Sequence, residues 1–177
     1  MKKLNLGSGK DVRHGFVNLD SAKLPGVDIV HNLNKYPWPI KNNEFDFVLC
    51  DNVLEHLDSI IKPAEELWRI TKPKGKIVVK VPLSPSIWAF TDPTHKSYYT
   101  FLTFNYFRQG DGLNYYSKAR FKILKRRIEF GRYTKVRNTG FMEWLVNLNS
   151  YFQRFYYAYL FFLIPASSIY FELETVK

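Results

Sequence analysis

Cysteine is almost absent from this chain, which has Cys50 alone among 177 residues. A single thiol cannot form an internal disulfide, so the sequence excludes a disulfide-stapled secreted fold and predicts a cytoplasmic location. Uninterrupted apolar runs of the roughly 20 residues that span a membrane are also missing. The first residues, Met1–Gly7, lack the long apolar core of a signal peptide and predict a β-strand instead.

Acidic side chains are outnumbered, since 16 Asp and Glu stand against 26 Lys and Arg and the net charge is +10. This excess favours an anionic partner such as nucleic acid, an anionic lipid surface or a phosphorylated substrate, although a basic surface that serves solubility alone explains it equally well. The four histidines and the cysteine show none of the usual ligand spacings, so no metal site is predicted. No nucleophile elbow is present either, which excludes a Ser-His-Asp hydrolase.

The first 82 residues alternate short apolar strands with turns, which is the pattern of a parallel α/β sheet. The predicted strands are Lys3–Leu6, Phe16–Leu19, Val27–Val30, Phe45–Cys50 and Lys76–Val81. A helix is predicted over 59–71, where Ile60, Ala64, Leu67 and Trp68 recur at helical spacing. Later in the chain we predict a long loop over Pro82–Thr100 and two more strands over Phe121–Phe130 and Ile169–Val176. An aromatic-rich helical region is predicted between these strands, over about Met142–Leu163.

Small or polar residues follow four successive strands at the point where each one ends. They are Gly7-Ser8-Gly9, Asp20, Asn32-Leu33 and Asp51-Asn52. In an open parallel sheet, ligands bind beyond the carboxyl ends of the strands. Glycines there allow positive φ and close approach of a ligand, and a carboxylate can accept hydrogen bonds from both hydroxyls of a ribose. Asn32-Leu33 suits the edge of an adenine, and Asp51-Asn52 would lie near the reactive end of the ligand. The pattern therefore predicts a nucleotide-type site.

Four stretches of the chain resemble class I S-adenosylmethionine-dependent methyltransferases, and the type 11 group in particular. They are LNLGSG at 4–9, VNLD at 17–20, FDFV at 45–48 with NVLEHL at 52–57, and LWRITKPKGK at 67–76. The resemblance implies an α/β, doubly wound, Rossmann-like fold with a mostly parallel seven-stranded sheet, whose last strand is antiparallel and inserted between its neighbours. It also implies that S-adenosylmethionine is the cofactor and S-adenosylhomocysteine the product.

The same resemblance assigns roles to the residues at the strand ends. Gly7 and Gly9 would line the methionine end of the cofactor, with Ser8 between them as the small polar residue of the loop. Asp20 would hold the ribose, and Asn32-Leu33 would contact the adenine.

The spacing between the first two strands departs from the family pattern. Asp20 lies 11 residues after Gly9, which is too few for a crossover helix and short of the roughly 20 residues of a dinucleotide fingerprint. The first helix is therefore predicted to be reduced to a turn, which leaves the pocket open on one side, or closed by a partner or by the C-terminal region. Residues 1–177 are predicted to form one domain, with the cofactor-binding half in 1–82 and the substrate side in 83–177.

His95 and His56 are the candidate catalytic residues. His95 lies in the stretch Asp92–Thr100, within the loop that faces the substrate in this architecture, and His56 begins the helix after the fourth strand. An imidazole titrates near neutrality and can accept the proton that an oxygen or nitrogen nucleophile loses. Alternatively, hydrogen bonds from these residues only brace the loop and the turn. Methyl transfer depends chiefly on positioning, so a dedicated base is not required.

The aromatic stretch Tyr151–Leu163 is too short for a membrane span and suits a helix packed on the sheet, a lid or an interfacial helix. The neighbouring basic cluster Lys118–Arg137 suits an anionic membrane or a phosphate. We expect methyl transfer to an oxygen or nitrogen of a small-molecule, glycan or lipid-linked acceptor. The acceptor is expected to bind between Asp92–Thr100 and Tyr151–Leu163. The alternatives are an RNA methyltransferase and a catalytically silent cofactor-binding module of the same fold. The short first crossover disfavours a dinucleotide or nucleotide-sugar enzyme.

Overall fold

The computed structural model describes residues 1–110, 114–131 and 139–177. Seven strands form one sheet in the order β3-β2-β1-β4-β5-β7-β6. Their bounds are β1 Lys3–Leu6, β2 Val17–Asp20, β3 Ile29–Val30, β4 Phe45–Asp51, β5 Thr71–Pro82, β6 Phe121–Glu129 and β7 Ser168–Thr175. Strands β1 to β5 pair in parallel, and β7 runs antiparallel between β5 and β6. This confirms the predicted sheet and the inserted last strand.

The helices are short, and most of them follow β5. Their bounds are α1 Ile61–Ile70, α2 Ile87–Thr91, α3 Thr139–Val146 and α4 Ser150–Phe155, with a π-helical turn at Tyr156–Leu160 and 3₁₀ turns at Leu54–His56, Thr103–Phe107 and Asn114–Tyr116. The predicted loop 82–100 therefore contains a helix, α2. The predicted aromatic helix is two helices, since α3 ends at Val146 and Asn149 caps the start of α4 by accepting from the backbone N–H groups of Tyr151 and Phe152. No helix in the described residues is both long and apolar enough to cross a membrane.

Polar side chains take the place of a crossover helix between β1 and β2. Within residues 1–110 no helix lies between these strands, as the spacing predicts. Asn5 Nδ2 donates to Asn18 Oδ1 at 3.1 Å and to the carbonyl of Asp11 at 2.7 Å, and the backbone N–H of Arg13 donates to Asn18 Oδ1 at 2.9 Å. These bonds hold the loop of residues 10–16 against the sheet face that a helix would otherwise cover.

The opposite face of the same strands is apolar and contributes to the core. Leu4, Leu6, Leu19, Val48 and Cys50 are fully buried. In β1 and β2 the buried leucines alternate with polar positions, as the two-residue period of a strand requires. The carboxyl ends of β1, β2, β3 and β4 consequently lie side by side at one edge of the sheet, and the site lies at that edge.

Candidate active site

A small cavity of about 270 Å³ lies at the carboxyl ends of β1, β2 and β3. Its lining includes residues that follow each of those strands and residues that follow β4. They are Gly7, Asp20, Ser21, Asn32, Leu33, Asn34, Asn52, Val53, His56 and Leu57. Of the eight predicted cofactor-binding residues, five line this cavity, and Ser8, Gly9 and Asp51 lie outside its lining.

Gly7 and Gly9 both adopt the left-handed backbone conformation, with φ of +66° and +49°. A Cβ on Gly7 would lie 2.1 Å from Cγ2 of Val53, so glycine is required there by a contact within the protein. A Cβ on Gly9 would meet nothing within 4 Å. The backbone N–H of Gly9 donates to Oδ2 of Asp20 at 2.8 Å, which ties the glycine turn to the end of β2.

Asp20 is half-buried, and both of its carboxylate oxygens already accept hydrogen bonds. Oδ2 accepts from Gly9, and Oδ1 accepts from the backbone N–H of Ala22 at 2.9 Å and from the hydroxyl of Ser21 at 3.5 Å. An ionised carboxylate has about four acceptor positions, so Asp20 keeps capacity for a ligand hydroxyl. The structure thus gives Asp20 two functions, since it orders the glycine turn and also lines the small cavity.

Leu33 and the side chains on either side of it form the wall of the small cavity beyond β3. Asn32 is exposed, and its Oδ1 accepts from the backbone N–H of Asn34 at 2.9 Å. Leu33 is buried, and Oδ1 of Asn34 accepts from the backbone N–H of Asp58 at 3.0 Å. Asn34 was not among the predicted site residues, although its position two residues after Asn32 places it at the same strand end.

Asp51, the last residue of β4, and Asn52, the residue after it, have different surroundings. Asn52 has a φ of +49°, and it lines both the small cavity and a second, larger one. Asp51 accepts a hydrogen bond from Asn52 Nδ2 at 2.9 Å, and its Oδ2 lies 3.7 Å from a guanidinium nitrogen of Arg13. The side chain of Asp51 therefore contributes to the β1–β2 loop region, and its predicted contact with the cofactor stays a prediction.

A large cavity of about 980 Å³ adjoins the small one and shares Asn52 and His56 with it. Its walls come from the end of β5, from α2 with the loop after it, from the ends of β6 and β7, and from α3. Its lining residues include Glu55, Lys80, Trp88, Asp92, His95, Glu129, Phe130 and Glu143. No described residue of Tyr151–Leu163 lines this cavity, so the expected acceptor wall is supplied instead by Phe130 and Glu143.

Hydrogen bonds dock the loop after α2 onto the 3₁₀ turn that follows β4. The carbonyl of Glu55 accepts from the backbone N–H groups of Lys96 at 2.7 Å and Ser97 at 3.0 Å. The hydroxyl of Ser97 donates to the carbonyl of Leu57 at 2.8 Å. Because of this docking, the two candidate catalytic histidines, 39 residues apart in the sequence, become neighbours.

The rings of His56 and His95 pack edge to face, with centroids 4.8 Å apart. Nδ1 of His95 lies 3.1 Å from the carbonyl oxygen of Ala89, and Nδ1 of His56 lies 2.9 Å from the hydroxyl oxygen of Thr94. Thr94 in turn donates to Oδ1 of Asp92 at 2.6 Å, and these hydrogen bonds from Thr94 hold the pKa of Asp92 below its usual value. Both imidazoles are therefore fixed in orientation beside the large cavity.

Glu55 is the residue of this cluster that the sequence reasoning did not select. Its side chain is 2% exposed, and neither carboxylate oxygen has a hydrogen-bond partner among the described residues. Burial raises the pKa of Glu55 to about 7, and the negative charges of Asp51 and Asp92 add to that rise. Its place beside His56 in the NVLEHL stretch was the available signal.

Comparison with known proteins agrees with this architecture. Residues 8–79 match the family model described as a methyltransferase domain. A 43-residue segment is 54% identical to the uncharacterised protein MJ0638 of Methanocaldococcus jannaschii, and the match spans 24% of this chain and 19% of that protein.

Solved structures share the fold over almost the whole chain. A SAM-dependent methyltransferase from Archaeoglobus fulgidus superposes with a TM-score of 0.63 at 17% identity, over 98% of this chain and 85% of that one. Phosphoethanolamine N-methyltransferase 2 of Haemonchus contortus, solved with S-adenosyl-L-methionine, superposes with a TM-score of 0.55 at 14% identity, over 100% of this chain and 50% of that one. The [4+2]-cyclase SpnF has a TM-score of 0.58 at 13% identity, over 99% of this chain and 75% of that one.

The fold is therefore that of the class I S-adenosylmethionine-dependent methyltransferases. Residues 8–79 match the methyltransferase-domain model, and the chain shares the fold of solved S-adenosylmethionine-dependent methyltransferases. The structural likeness to a cyclase shows why the acceptor and the details of the reaction must be argued from the site rather than from the fold.

The residues at the strand ends fit this cofactor. The hydroxyl of Ser8, in the glycine turn, is buried without a partner among the described residues, and Asp20 keeps acceptor capacity. The small cavity is slightly below the roughly 300–1,000 Å³ of typical ligand sites, but it adjoins the large cavity at Asn52 and His56.

Proposed function

We propose that this protein moves a methyl group from S-adenosylmethionine to a hydroxyl oxygen of an acceptor in the large cavity. The observation that carries this proposal is the meeting of two cavities at Asn52 and His56. One cavity has the strand-end residues of a nucleotide site, and the other has room for a second ligand. A reaction between two bound molecules requires such a junction, because the reacting atoms must come within about 3–3.5 Å of each other.

The chain's own residues bind and orient the two ligands. Asp20 accepts hydrogen bonds from the ribose hydroxyls, Asn32 and Leu33 contact the adenine, and Gly7 borders the methionine end. When bound, S-adenosylmethionine supplies an electrophilic methyl group on a sulfonium. The acceptor oxygen gains a bond to the methyl carbon, the carbon–sulfur bond breaks, and the hydroxyl proton leaves to a nearby base or water. His95 and His56 stay the predicted acceptors of that proton.

The charges that line the large cavity favour a hydroxylated acceptor group. The lining of the large cavity includes four carboxylates and one lysine, namely Glu55, Asp92, Glu129, Glu143 and Lys80. Carboxylates accept hydrogen bonds from hydroxyl groups and repel anions. We therefore place a sugar-like or polyol group inside the cavity, and we assign any anionic part of the acceptor to the surface outside it.

The surface outside the cavity fits an anionic lipid membrane. Tyr151, Phe155, Tyr159 and Phe162, here called the aromatic row, are 71%, 44%, 71% and 84% exposed. Tyr151 and Phe155 lie on α4, Tyr159 lies in the π-helical turn, and Phe162 lies in the turn that follows. A run of exposed aromatic side chains of this kind suits an interfacial segment.

A basic groove lies beside the first turn of the aromatic row. A cavity of about 540 Å³ is lined by Lys122, Lys125, Arg126 and Arg154, here called the basic groove, and no carboxylate appears among its described lining residues. Arg154 belongs to α4, the helix that also carries Tyr151 and Phe155. Exposed aromatic side chains beside basic ones suit an anionic bilayer. We therefore propose that the acceptor is a lipid-linked glycan. Residues 132–137 of the predicted basic cluster lie outside the described residues.

Vesicle sedimentation tests the membrane part of the proposal. The protein should bind vesicles of phosphatidylglycerol and phosphatidylcholine, and it should bind pure phosphatidylcholine vesicles weakly. The double variant Tyr159→Ser/Phe162→Ser should bind the anionic vesicles at least about tenfold more weakly, because each lost aromatic contact is worth up to roughly 1.5–3 kcal/mol. Tyr115→Ser, which removes an aromatic side chain that is also 69% exposed, is the matched control. Equal binding by the two variants would contradict a membrane role for the aromatic row.

Transfer of a tritiated methyl group tests the reaction. Protein incubated with labelled S-adenosylmethionine should transfer label to a glycolipid fraction and not to RNA. Cofactor binding without transfer to any of the lipid, glycan and RNA fractions would favour the silent-module alternative. Label in RNA alone would favour the RNA methyltransferase.

A further inference from the structure

Three side chains that the sequence separates into two segments form a compact cluster in the large cavity. The ligand-type atoms of Glu55, His56 and His95 all lie within 4.8 Å of one another. Glu55 and His56 are consecutive in the 3₁₀ turn after β4, and His95 is brought to them by the docked loop. All three residues line the large cavity.

Both imidazoles are oriented so that the same nitrogen is left for a ligand. A carbonyl oxygen can only accept, so Nδ1 of His95 donates its proton to Ala89. Thr94 donates its hydroxyl proton to Asp92, so that hydroxyl accepts from Nδ1 of His56. Nε2 is therefore the nitrogen of each ring that makes no hydrogen bond to these partners; in His95 it lies 3.9 Å from Oδ2 of Asp92. Asp92 also supports His56 through Thr94. Metal-binding histidines are commonly oriented by such hydrogen bonds from their other nitrogen.

The carboxylate of Glu55 gives the independent sign that a ligand is missing. A buried carboxylate without any hydrogen bond is costly, yet both oxygens of Glu55 lack a partner among the described residues and the side chain is 2% exposed. A cation between Glu55 and the two Nε2 atoms would satisfy it.

We propose that Glu55, His56 and His95 bind a divalent transition-metal cation of the Zn²⁺ type. Two imidazoles and one carboxylate are a donor set typical of Zn²⁺ and other first-row dications that keep open coordination positions. Bonds of about 2.0–2.2 Å place neighbouring ligand atoms roughly 3–3.5 Å apart, so side-chain shifts of about 1 Å close the cluster. The open positions face the large cavity, where they would hold an acceptor oxygen. Only that last role rests on the proposed function.

Metal titration of the protein alone tests the site without any methyl transfer. Protein stripped with a chelator should bind one Zn²⁺ per chain in calorimetry, and Mn²⁺ and Mg²⁺ should bind successively more weakly. Glu55→Gln and His95→Gln should each weaken Zn²⁺ binding by about 100-fold or more, and Thr94→Val should weaken it by roughly 10–100-fold. His14→Gln and His31→Gln remove the two histidines outside the cluster and should leave binding unchanged.

The stability of Glu55→Gln shows whether a loss of Zn²⁺ binding comes from a lost ligand or from unfolding of the variant. Its neutral isosteric side chain removes an uncompensated buried carboxylate, so the variant should unfold at the same temperature as the metal-free parent or at a higher one. Loss of Zn²⁺ binding in a variant that stays folded supports the site. Absence of Zn²⁺ binding by the parent protein would overturn the proposal, and so would equal losses in His95→Gln and His14→Gln.

Discussion

The small and the large cavity are built in different ways. The small cavity is formed by turns that directly follow β1, β2, β3 and β4, so each lining residue is placed by the strand before it. The large cavity is assembled from segments far apart in the sequence, including residues 52–56, 88–95 and 129–131, and its candidate catalytic side chains meet only because a loop docks on a turn. Residues at strand ends are thus fixed locally, whereas the large cavity depends on tertiary contacts.

The largest expected effect comes from the glycine that begins the small cavity. Gly7→Val should destabilise the protein by roughly 2–5 kcal/mol, because the side chain would overlap Val53 and occupy a left-handed conformation. Urea unfolding measures this loss. Gly15→Ala is the control, since Gly15 also has a positive φ but a Cβ there meets nothing within 4 Å. Equal stability of the two variants would refute the packing explanation for Gly7.

Substitution of Asp20 should affect the cofactor side alone. Asp20→Ala should weaken binding of S-adenosylhomocysteine by about tenfold or more, because each charge-assisted hydrogen bond is worth roughly 1.5–3 kcal/mol. Calorimetry gives the affinity. Asp28→Ala removes a carboxylate that also accepts a backbone hydrogen bond, from the N–H of Asn18 at 2.7 Å, but that does not line the small cavity. If Asp28→Ala weakened binding as much as Asp20→Ala, Asp20 would have only a structural role.

The smallest expected effect concerns the docking of the loop. Ser97→Ala removes the hydrogen bond to Leu57 and should cost about 0.5–1.5 kcal/mol of stability. Affinity for S-adenosylhomocysteine should stay unchanged, because Ser97 does not line the small cavity. Affinity for Zn²⁺ should fall, since the docked loop carries His95. A loss of cofactor affinity with unchanged Zn²⁺ binding would contradict the claim that the docked loop supports the large cavity and not the small one.

The sequence predicted the sheet and the grouping of strand-end residues at one edge for a physical reason. Apolar strands of a parallel sheet end at one edge, so Asp20, Asn32 and Asn52 could be placed beside one another without knowledge of tertiary contacts. The short spacing between Gly9 and Asp20 also predicted the absence of a crossover helix. Glu55 was missed because its isolation in the core depends on what surrounds it.

The walls of the large cavity were predicted less accurately. The expected wall from Tyr151–Leu163 is not part of the large cavity, because Tyr156 and Phe161 pack into the core while the aromatic row faces outward. The residues that do form the wall, Phe130 and Glu143, come from the ends of β6 and from α3. Periodicity indicates that such a segment is helical, but it does not determine against which surface the helix packs.

A crystal structure with S-adenosylhomocysteine would test the central claim most directly. We predict that the ribose hydroxyls lie within hydrogen-bond distance of Asp20 and that the sulfur lies at the junction of the two cavities, beside Asn52 and His56. This would leave the large cavity free for an acceptor. A ligand seated away from Asp20, or a sulfur pointing away from the large cavity, would contradict the proposal that the two cavities form one methyl-transfer site.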